Sequence, residues 1–144
     1  IEERNMIDHT GFYVSDLESS KTFYSSALKS LGYAVRLEFA GKAAGFGPAT
    51  LEEGADPGGG FWLTQGTPYT PRVHLAFRAR SKEDVDAFWH AALQAGATDN
   101  GAPGHRPQYH PGYYAAFVLD PDGYHIDAVF HERSCGTLTS LSLG

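Results

Sequence analysis

The chain has 144 residues, of which 42% are hydrophobic, and carries a formal net charge of -6 at pH 7. This length is enough to bury one core and too short for two ordinary domains, so we expect a single domain over residues 6–132, followed by a C-terminal tail at residues 133–144. The acidic balance, without a cluster of Lys or Arg, argues against nucleic acid and anionic membranes as partners and favours small molecules.

Cysteine usage and hydropathy predict the compartment. The single cysteine, Cys135, has no partner for an intramolecular disulfide, which favours a reducing environment. No apolar run approaches the ~20 residues needed to span a bilayer, and the N-terminus lacks the apolar core of a signal peptide. A cytoplasmic protein is therefore expected. The residues before Met6, the only methionine, are either native sequence or a vector-derived extension.

The first part of the chain reads as a strand followed by a helix. Residues 7–14 alternate so that His9 lies on one face of the strand and Phe12 on the other. Ser15 and Glu18 have the spacing of a capping box, which predicts a helix beginning there and ending at Gly32. The core-facing stripe of this helix comprises Leu17, Tyr24, Ala27, Leu28 and Leu31. Further strands are predicted at 33–39, 44–46 and 61–63, with a flexible acidic loop at 52–60.

The pattern then starts again. Residues 72–79 form a predicted strand with His74 on the face opposite Phe77. Ser81 and Asp84 repeat the capping spacing, and Gly96 ends the second helix. Its apolar stripe comprises Val85, Phe88, Trp89, Ala92 and Leu93. A weak strand near Ala97 and a Gly/Pro-rich loop at 101–112 are expected to follow.

A hairpin closes the domain. Asp120-Pro-Asp-Gly123 is a tight-turn sequence between two runs of aromatic and β-branched residues, 113–119 and 124–130. Alternation in the second run places Asp127 in mid-strand, on the same face as His125, Val129 and His131. A carboxylate in such a position needs a cation or a donor, because an unpaired buried charge is costly.

The two parts are related by one constant offset. His9 and His74 differ by 74 − 9 = 65 positions, and the same shift pairs residues of the same type in both the strand and the helix. The further pairs are Phe12 with Phe77, Phe23 with Phe88, Tyr24 with Trp89, Ala27 with Ala92 and Leu28 with Leu93. We interpret this as a duplicated strand-helix-strands module, at residues 6–66 and 71–132. Pairing the two halves is expected to make a curved sheet with a pocket on its concave side.

Three polar residues are predicted to converge in that pocket. His9 and His74 lie at equivalent positions on the strand faces opposite the apolar residues, and Asp127 lies on the closing strand. Two imidazoles and one carboxylate can hold a divalent metal and leave positions open for substrate or water. The alternative for either histidine is a polar residue hydrogen-bonded to a neighbour.

These residues stand in segments with a family resemblance. Met-Ile-Asp-His-Thr-Gly-Phe-Tyr-Val-Ser-Asp-Leu-Glu18, Arg-Val-His-Leu-Ala-Phe77 and the run Pro-Gly-Tyr-Tyr-Ala-Ala-Phe-Val-Leu-Asp-Pro-Asp-Gly-Tyr-His-Ile-Asp-Ala-Val-Phe-His131 resemble the vicinal oxygen chelate superfamily of glyoxalases, bleomycin-resistance proteins and extradiol dioxygenases. The resemblance implies an α+β fold of two βαβββ modules that form a curved mixed-sheet cup with helices outside. It also implies a homodimer, and a divalent ion such as iron, manganese, nickel or zinc at His9, His74 and Asp127.

Two departures from the family pattern narrow the expected function. The family usually has Glu where Asp127 stands, and Trp62 occupies the position where glyoxalase I places a second Glu. Because that enzyme needs carboxylates to move a proton, a typical lactoylglutathione lyase is disfavoured. The remaining ligand set is closer to that of extradiol dioxygenases. A metal-dependent lyase or dioxygenase acting on a small oxygenated molecule is therefore expected, and the alternative is a non-catalytic, drug-sequestering binder.

Candidate catalytic residues flank the Gly/Pro-rich loop. His110 and Tyr114 are the first choices, with Tyr109 and Tyr113 beside them. A Tyr or His at this place can bind or protonate a substrate oxygen. The alternative for each of them is aromatic packing at the edge of a loop.

Overall fold

A computed structural model describes residues 6–50 and 56–133. The expectations for residues 1–5, for residues 52–55 of the acidic loop and for the tail with Cys135 concern residues outside these ranges. The first module contains β1 (Thr10–Val14), α1 (Leu17–Ala27), β2 (Tyr33–Phe39), β3 (Ala43–Pro48) and β4 (Phe61–Gln65). The second contains β5 (His74–Arg78), α2 (Lys82–Gln94), β6 (Thr98–His105), β7 (Tyr113–Leu119) and β8 (His125–His131). In the described ranges, no helix is long and apolar enough to cross a bilayer.

The two modules have the same topology. Their strand orders are β1-β4-β3-β2 and β5-β8-β7-β6, and in each sheet the first strand runs parallel to the last. The helices begin at Leu17 and Lys82, which are 82 − 17 = 65 positions apart. The α+β class with two βαβββ modules is thus confirmed.

Helix capping follows the prediction in one module only. Ser81 caps α2 by accepting a hydrogen bond from the amide of Asp84, as the sequence predicts. At α1 the predicted cap Ser15 is wrong, because Asp16 accepts the bond from the amide of Ser19. Ser15 instead donates from its hydroxyl and its amide to the carboxylate of Asp122, in the second module.

The predicted loop at 101–112 is wrong in its first half. β6 continues through Gly101 and Pro103 to His105. The strand pairs only with β7, and its register shifts twice, between Asp99 and Gly101 and between Gly101 and Gly104. Edge strands tolerate a proline and glycine bulges, which explains why residues typical of loops can form this strand.

One core joins the two modules. The apolar faces of both sheets and the buried faces of α1 and α2 belong to a single cluster of buried side chains. Phe12 of β1 stacks on Tyr124 beside β8 with ring centroids 4.0 Å apart, and Phe61 of β4 meets Phe77 of β5 at 5.1 Å. Because side chains alternate along a strand, the sheet faces that carry His9 and His74 are turned away from this core. We call them the outer faces of the first and second sheets.

The hairpin turn also fastens the modules together. Asp120 is buried, and its carboxylate accepts hydrogen bonds from the amides of Asp122 and Tyr124 and from the hydroxyl of Tyr24 on α1. Burial raises the pKa of the Asp120 carboxyl, and the hydrogen bond from Tyr24 opposes that rise. The turn therefore positions β8 and anchors the second module to the first helix.

We expect Phe12→Ala to destabilise the protein strongly, because the ring is only 3% exposed and lies where the modules meet. Large-to-small changes of a buried Phe cost about 3–5 kcal/mol of unfolding free energy, measurable by urea denaturation. Tyr109→Ala is the control, since that ring is 62% exposed and its loss should cost within about 0.5 kcal/mol. Equal effects of the two substitutions would contradict the common core.

Candidate metal centre

His74 and Asp127 meet on the outer face of the second sheet. The Nε2 atom of His74 lies 2.5 Å from Oδ2 of Asp127. The imidazole, at the start of β5, has 66% of its side chain exposed, whereas the carboxylate, in the middle of β8, has 6% exposed. Burial raises the pKa of the Asp127 carboxyl, and the hydrogen bond that the carboxylate accepts from His74 opposes this rise. The predicted pair is therefore together, and the short Asp side chain is long enough to reach the imidazole.

Trp62 is the structural counterpart of Asp127. Trp62 pairs with Gly11 of β1, and Asp127 pairs with Ala76 of β5. The tryptophan and aspartate positions differ by 127 − 62 = 65, and their partners differ by the same number, 76 − 11 = 65. The first module thus has an indole where the second has a carboxylate. This agrees with the position assigned to Trp62 from the sequence.

His9 lies just before β1 on the outer face of the first sheet. Its Nδ1 atom lies 2.6 Å from Oδ1 of Asp8, and this hydrogen bond is the main reason why the pKa of His9 is raised. Ligand atoms of Asp8, His9 and Asp56 all lie within 4.8 Å of one another. With Nδ1 held by Asp8, Nε2 is the nitrogen of His9 that can bind a metal.

The three predicted ligands do not converge within one chain. In the part of the chain that the structure describes, Asp8, His9 and Asp56 are the only group of three potential ligands within 4.8 Å of one another. His74 and Asp127 lie on the other sheet, and both outer faces are turned away from the shared core. One chain therefore presents two parts of the predicted site on two different surfaces.

Both of these parts lie at open sheet edges. β1 and β5 are the outermost strands of their sheets, and each carries its histidine at or just before its first residue. Edge strands offer unpaired backbone groups to another strand. A neighbouring chain can therefore approach each of the two histidines from the edge of its sheet.

A second pair of imidazoles lies farther along β8. Nε2 of His110 is 2.9 Å from Nδ1 of His131, and Nδ1 of His110 is 2.6 Å from the carbonyl oxygen of Pro111. A carbonyl only accepts, so in the neutral pair His110 donates from Nδ1 and accepts at Nε2 from His131. Burial and the adjacent His110 lower the pKa of His131. Its Nε2 atom is then the unprotonated nitrogen.

The tyrosines beside this pair lie on opposite faces of β7. Tyr113 pairs with His131 across the hairpin and shares the face of Asp127, and burial followed by the charge of Asp127 raises its pKa. Tyr114 faces the helix side, where its hydroxyl donates to Asp86 of α2 at 2.6 Å and its pKa is raised to about 12. The sequence named both tyrosines, and the hairpin register separates them.

A family model matches most of the chain. The model of the Glyoxalase/Bleomycin resistance protein/Dioxygenase superfamily matches residues 6–128. The chain belongs to this superfamily. No curated protein gives a significant match to this chain.

Solved structures of this superfamily share the fold. A glyoxalase/bleomycin resistance protein from Albidiferax ferrireducens is 30% identical, with a TM-score of 0.69 over 89% of this chain and 100% of that one. A glyoxalase/bleomycin resistance protein/dioxygenase family enzyme from Burkholderia phytofirmans is 18% identical, with a TM-score of 0.66 over 88% and 98% of the two chains. The lactoylglutathione lyase from Agrobacterium tumefaciens is 18% identical, with a TM-score of 0.60 over 89% and 95%. For the two structures that are 18% identical, the similarity concerns the fold alone.

Proposed function

We propose that the protein is a divalent-metal-dependent enzyme of the glyoxalase and extradiol dioxygenase type, acting on a small oxygenated molecule. The unit that carries this function is residues 6–132. The observation that supports it most is the contact between His74 and Asp127, in which a buried carboxylate meets an exposed imidazole on the face of a sheet. A buried carboxylate needs a cation or a donor, and a metal ion beside His74 would supply the cation.

The donor set fits a divalent metal. His74 and Asp127 supply one nitrogen and one oxygen, and His9 supplies a second nitrogen whose ring is oriented by Asp8. Two histidines and one carboxylate with open positions are typical of non-haem Fe(II) sites, and manganese, nickel and zinc accept the same atoms. When bound, the ion would polarise oxygen atoms of the substrate as a Lewis acid.

Residues of the second module can handle protons near this centre. Tyr113, whose pKa is raised, keeps its hydroxyl proton at neutral pH and can donate it to a substrate oxygen. His131, whose pKa is lowered, stays neutral and can accept a proton at Nε2 while His110 fixes its tautomer. His110, predicted from the sequence as a catalytic residue, therefore has a positioning role, and Tyr113 takes the catalytic role predicted for Tyr114.

The complete site requires a homodimer. His9 lies beside β1 and His74 begins β5, so an arrangement with β1 of one copy next to β5 of another would bring the two histidines together. The single cysteine favours a reducing compartment, and we place the enzyme in the cytoplasm.

The proposed reaction is not that of a typical lactoylglutathione lyase. Trp62 leaves the first module without a carboxylate at the position equivalent to Asp127. The 18% identity to the Agrobacterium tumefaciens lyase is evidence for a common fold and is too low to indicate a common reaction. The proposed metal site, which has one carboxylate, fits a reaction that needs fewer carboxylates for proton transfer than the lyase reaction does.

A second candidate is a non-catalytic binder. The rings of Phe39 and Trp62 lie nearly parallel on the outer face of the first module, at an interplanar angle of 23°. Such a surface can hold a ligand without any metal. The two functions differ in whether the purified protein contains a stoichiometric ion.

Metal content and assembly test the proposal together. The protein is purified anaerobically without a histidine tag and reconstituted with iron, manganese, nickel or zinc. We expect it to contain about one ion per chain, because each dimer would have two equivalent sites. Elemental analysis measures the content and analytical ultracentrifugation measures the mass. A monomer at micromolar concentration would exclude the dimeric site, and a metal-free protein after every reconstitution would favour the binder.

A further inference from the structure

We propose that Arg106 binds a carboxylate group of the substrate, so that the site selects small oxygenated acids over their neutral analogues. Arg106 directly follows β6, and its guanidinium lies on the outer face of the second sheet, which also carries His74 and Asp127. The inference rests on the proposed function for the identity of the site, and it adds the chemical class of the substrate.

The guanidinium of Arg106 is held over the ring of Phe117. Its Cζ atom lies 4.9 Å from the ring centroid, and Nη2 donates to the carbonyl oxygen of Ala102 at 2.7 Å. A Cβ added at Gly101 would lie 3.4 Å from Nη2, and one added at Gly104 would lie 3.0 Å from Nη1. The two glycines of this bulged strand therefore leave the space that the guanidinium occupies. The cation is fixed in position before a ligand arrives.

The strand register places this cation on the face of the proposed metal centre. Phe117 of β7 pairs with Asp127 of β8, and Gly101 of β6 pairs with Phe117. Side chains of paired residues point to the same face, so the guanidinium over Phe117 shares the outer face with the carboxylate of Asp127. β6 and β8 are two strand spacings apart, which is about 10 Å. A substrate that reaches both places must carry its carboxylate several bonds away from its metal-binding oxygen.

Arg106 can still donate to a ligand. A guanidinium has five N–H donors, and the hydrogen bonds of this one go to the carbonyl oxygens of Ala102 and His105. Within the described residues, none of the ion pairs includes Arg106. A carboxylate accepts two parallel N–H bonds from a guanidinium, and one guanidinium balances its single charge. A phosphate carries more than one negative charge at neutral pH, so a carboxylate fits this lone cation better.

The charges on this face also favour an anion. Among the outward positions of β5, β7 and β8, Arg78 adds a second cation, and Asp127 is the only acidic residue. The whole chain has a formal net charge of -6, so this face differs in sign from the rest of the protein. A positive face on an acidic protein concentrates anionic ligands near the site.

An NMR titration with a matched pair of probes tests this inference. The probes are 6-hydroxyhexanoate and its neutral amide, 6-hydroxyhexanamide, and the protein is first freed of metal with a chelator. We expect the carboxylate to bind about fivefold more tightly, because it forms charge-assisted hydrogen bonds with a half-buried guanidinium. In Arg106→Gln the preference should fall to within about twofold, and the affinity for the amide should stay unchanged, because glutamine is polar but uncharged.

The controls separate this inference from the proposed function. Lys29→Gln removes the same charge from an exposed residue of the first module, and it should keep the preference. Because the titration needs no metal, a protein that never holds an ion but prefers the carboxylate would refute the enzyme and leave Arg106 as the residue that selects the ligand.

Several outcomes would overturn the role of Arg106. They are equal binding of the two probes by the parent protein, no binding of either probe, an unchanged preference in Arg106→Gln, and a lost preference in Lys29→Gln. An equal loss of affinity for both probes in Arg106→Gln would assign this arginine to the structure of the bulged strand instead.

Discussion

Replacing His74 or Asp127 with alanine is expected to remove nearly all bound metal. The two side chains are 2.5 Å apart and would share one ion, so the loss of either leaves too few ligands to retain it. Removing a residue that is hydrogen-bonded to a metal-binding side chain typically lowers metal affinity 10–100-fold. For the loss of a metal-binding side chain itself, we expect metal affinity to fall by more than about a hundredfold. Metal content after dialysis, measured by elemental analysis, gives the result.

Two variants control for trivial causes of metal loss. His90→Ala removes an exposed imidazole from α2 and should leave the metal content unchanged. Asp127→Asn keeps the shape of the buried side chain, so a metal-free but folded Asp127→Asn protein would attribute the loss to the missing charge. Full metal retention in His74→Ala would remove His74 from the site.

Mixing two inactive variants is expected to restore metal binding. In a dimer whose sites each combine His9 of one chain with His74 of the other, a chain carrying His9→Ala and a chain carrying His74→Ala share one intact site. Random association makes half of the dimers mixed, so about a quarter of all sites should regain metal. Each variant alone should regain none. The measurement is metal content after the two variants are unfolded, mixed and refolded together.

This experiment distinguishes the two possible origins of the site. A site built within one chain would be broken in every molecule of the mixture, and metal would stay absent at all mixing ratios. Mixing His74→Ala with Asp127→Ala is the matched control, because both defects lie in the same half of the site and no combination repairs it. Recovery in that control would contradict the assignment of the two residues to one module.

Much of the fold follows from local patterns in the sequence. The strands predicted at 33–39 and 113–119 have the bounds of β2 and β7, and the common offset of 65 matches the first residues of α1 and α2. The start of α1 was harder to predict because Ser15 and Asp16 are both good capping residues. Ser15 is occupied by Asp122 from the other module, a contact between residues 107 positions apart.

The candidate site was predictable in its parts but not in its assembly. Alternation placed His74 and Asp127 on one sheet face, and the register of the hairpin could have selected Tyr113, because the turn fixes its pairing with His131. How the modules pack depends on contacts such as Phe61 with Phe77, which belong to no local pattern. The prediction of one shared pocket for His9 and His74 depended on that packing.

The connector between the modules, residues 66–73, is bonded at both of its ends. Gly66 donates to the carbonyl oxygen of Val14, and Arg72 donates to the carbonyl oxygens of Asp122 and Tyr69. The amide of Tyr69 also donates to the hydroxyl of Tyr124, which in turn donates to the carbonyl oxygen of Tyr13. A connector fixed in this way prevents one module from turning over to meet the other. Together with the shared core, this segment holds the two modules in one relative orientation. Under the proposed dimeric arrangement, a longer or unbonded segment would let the two halves of the metal site meet within one chain without altering any residue that lines it.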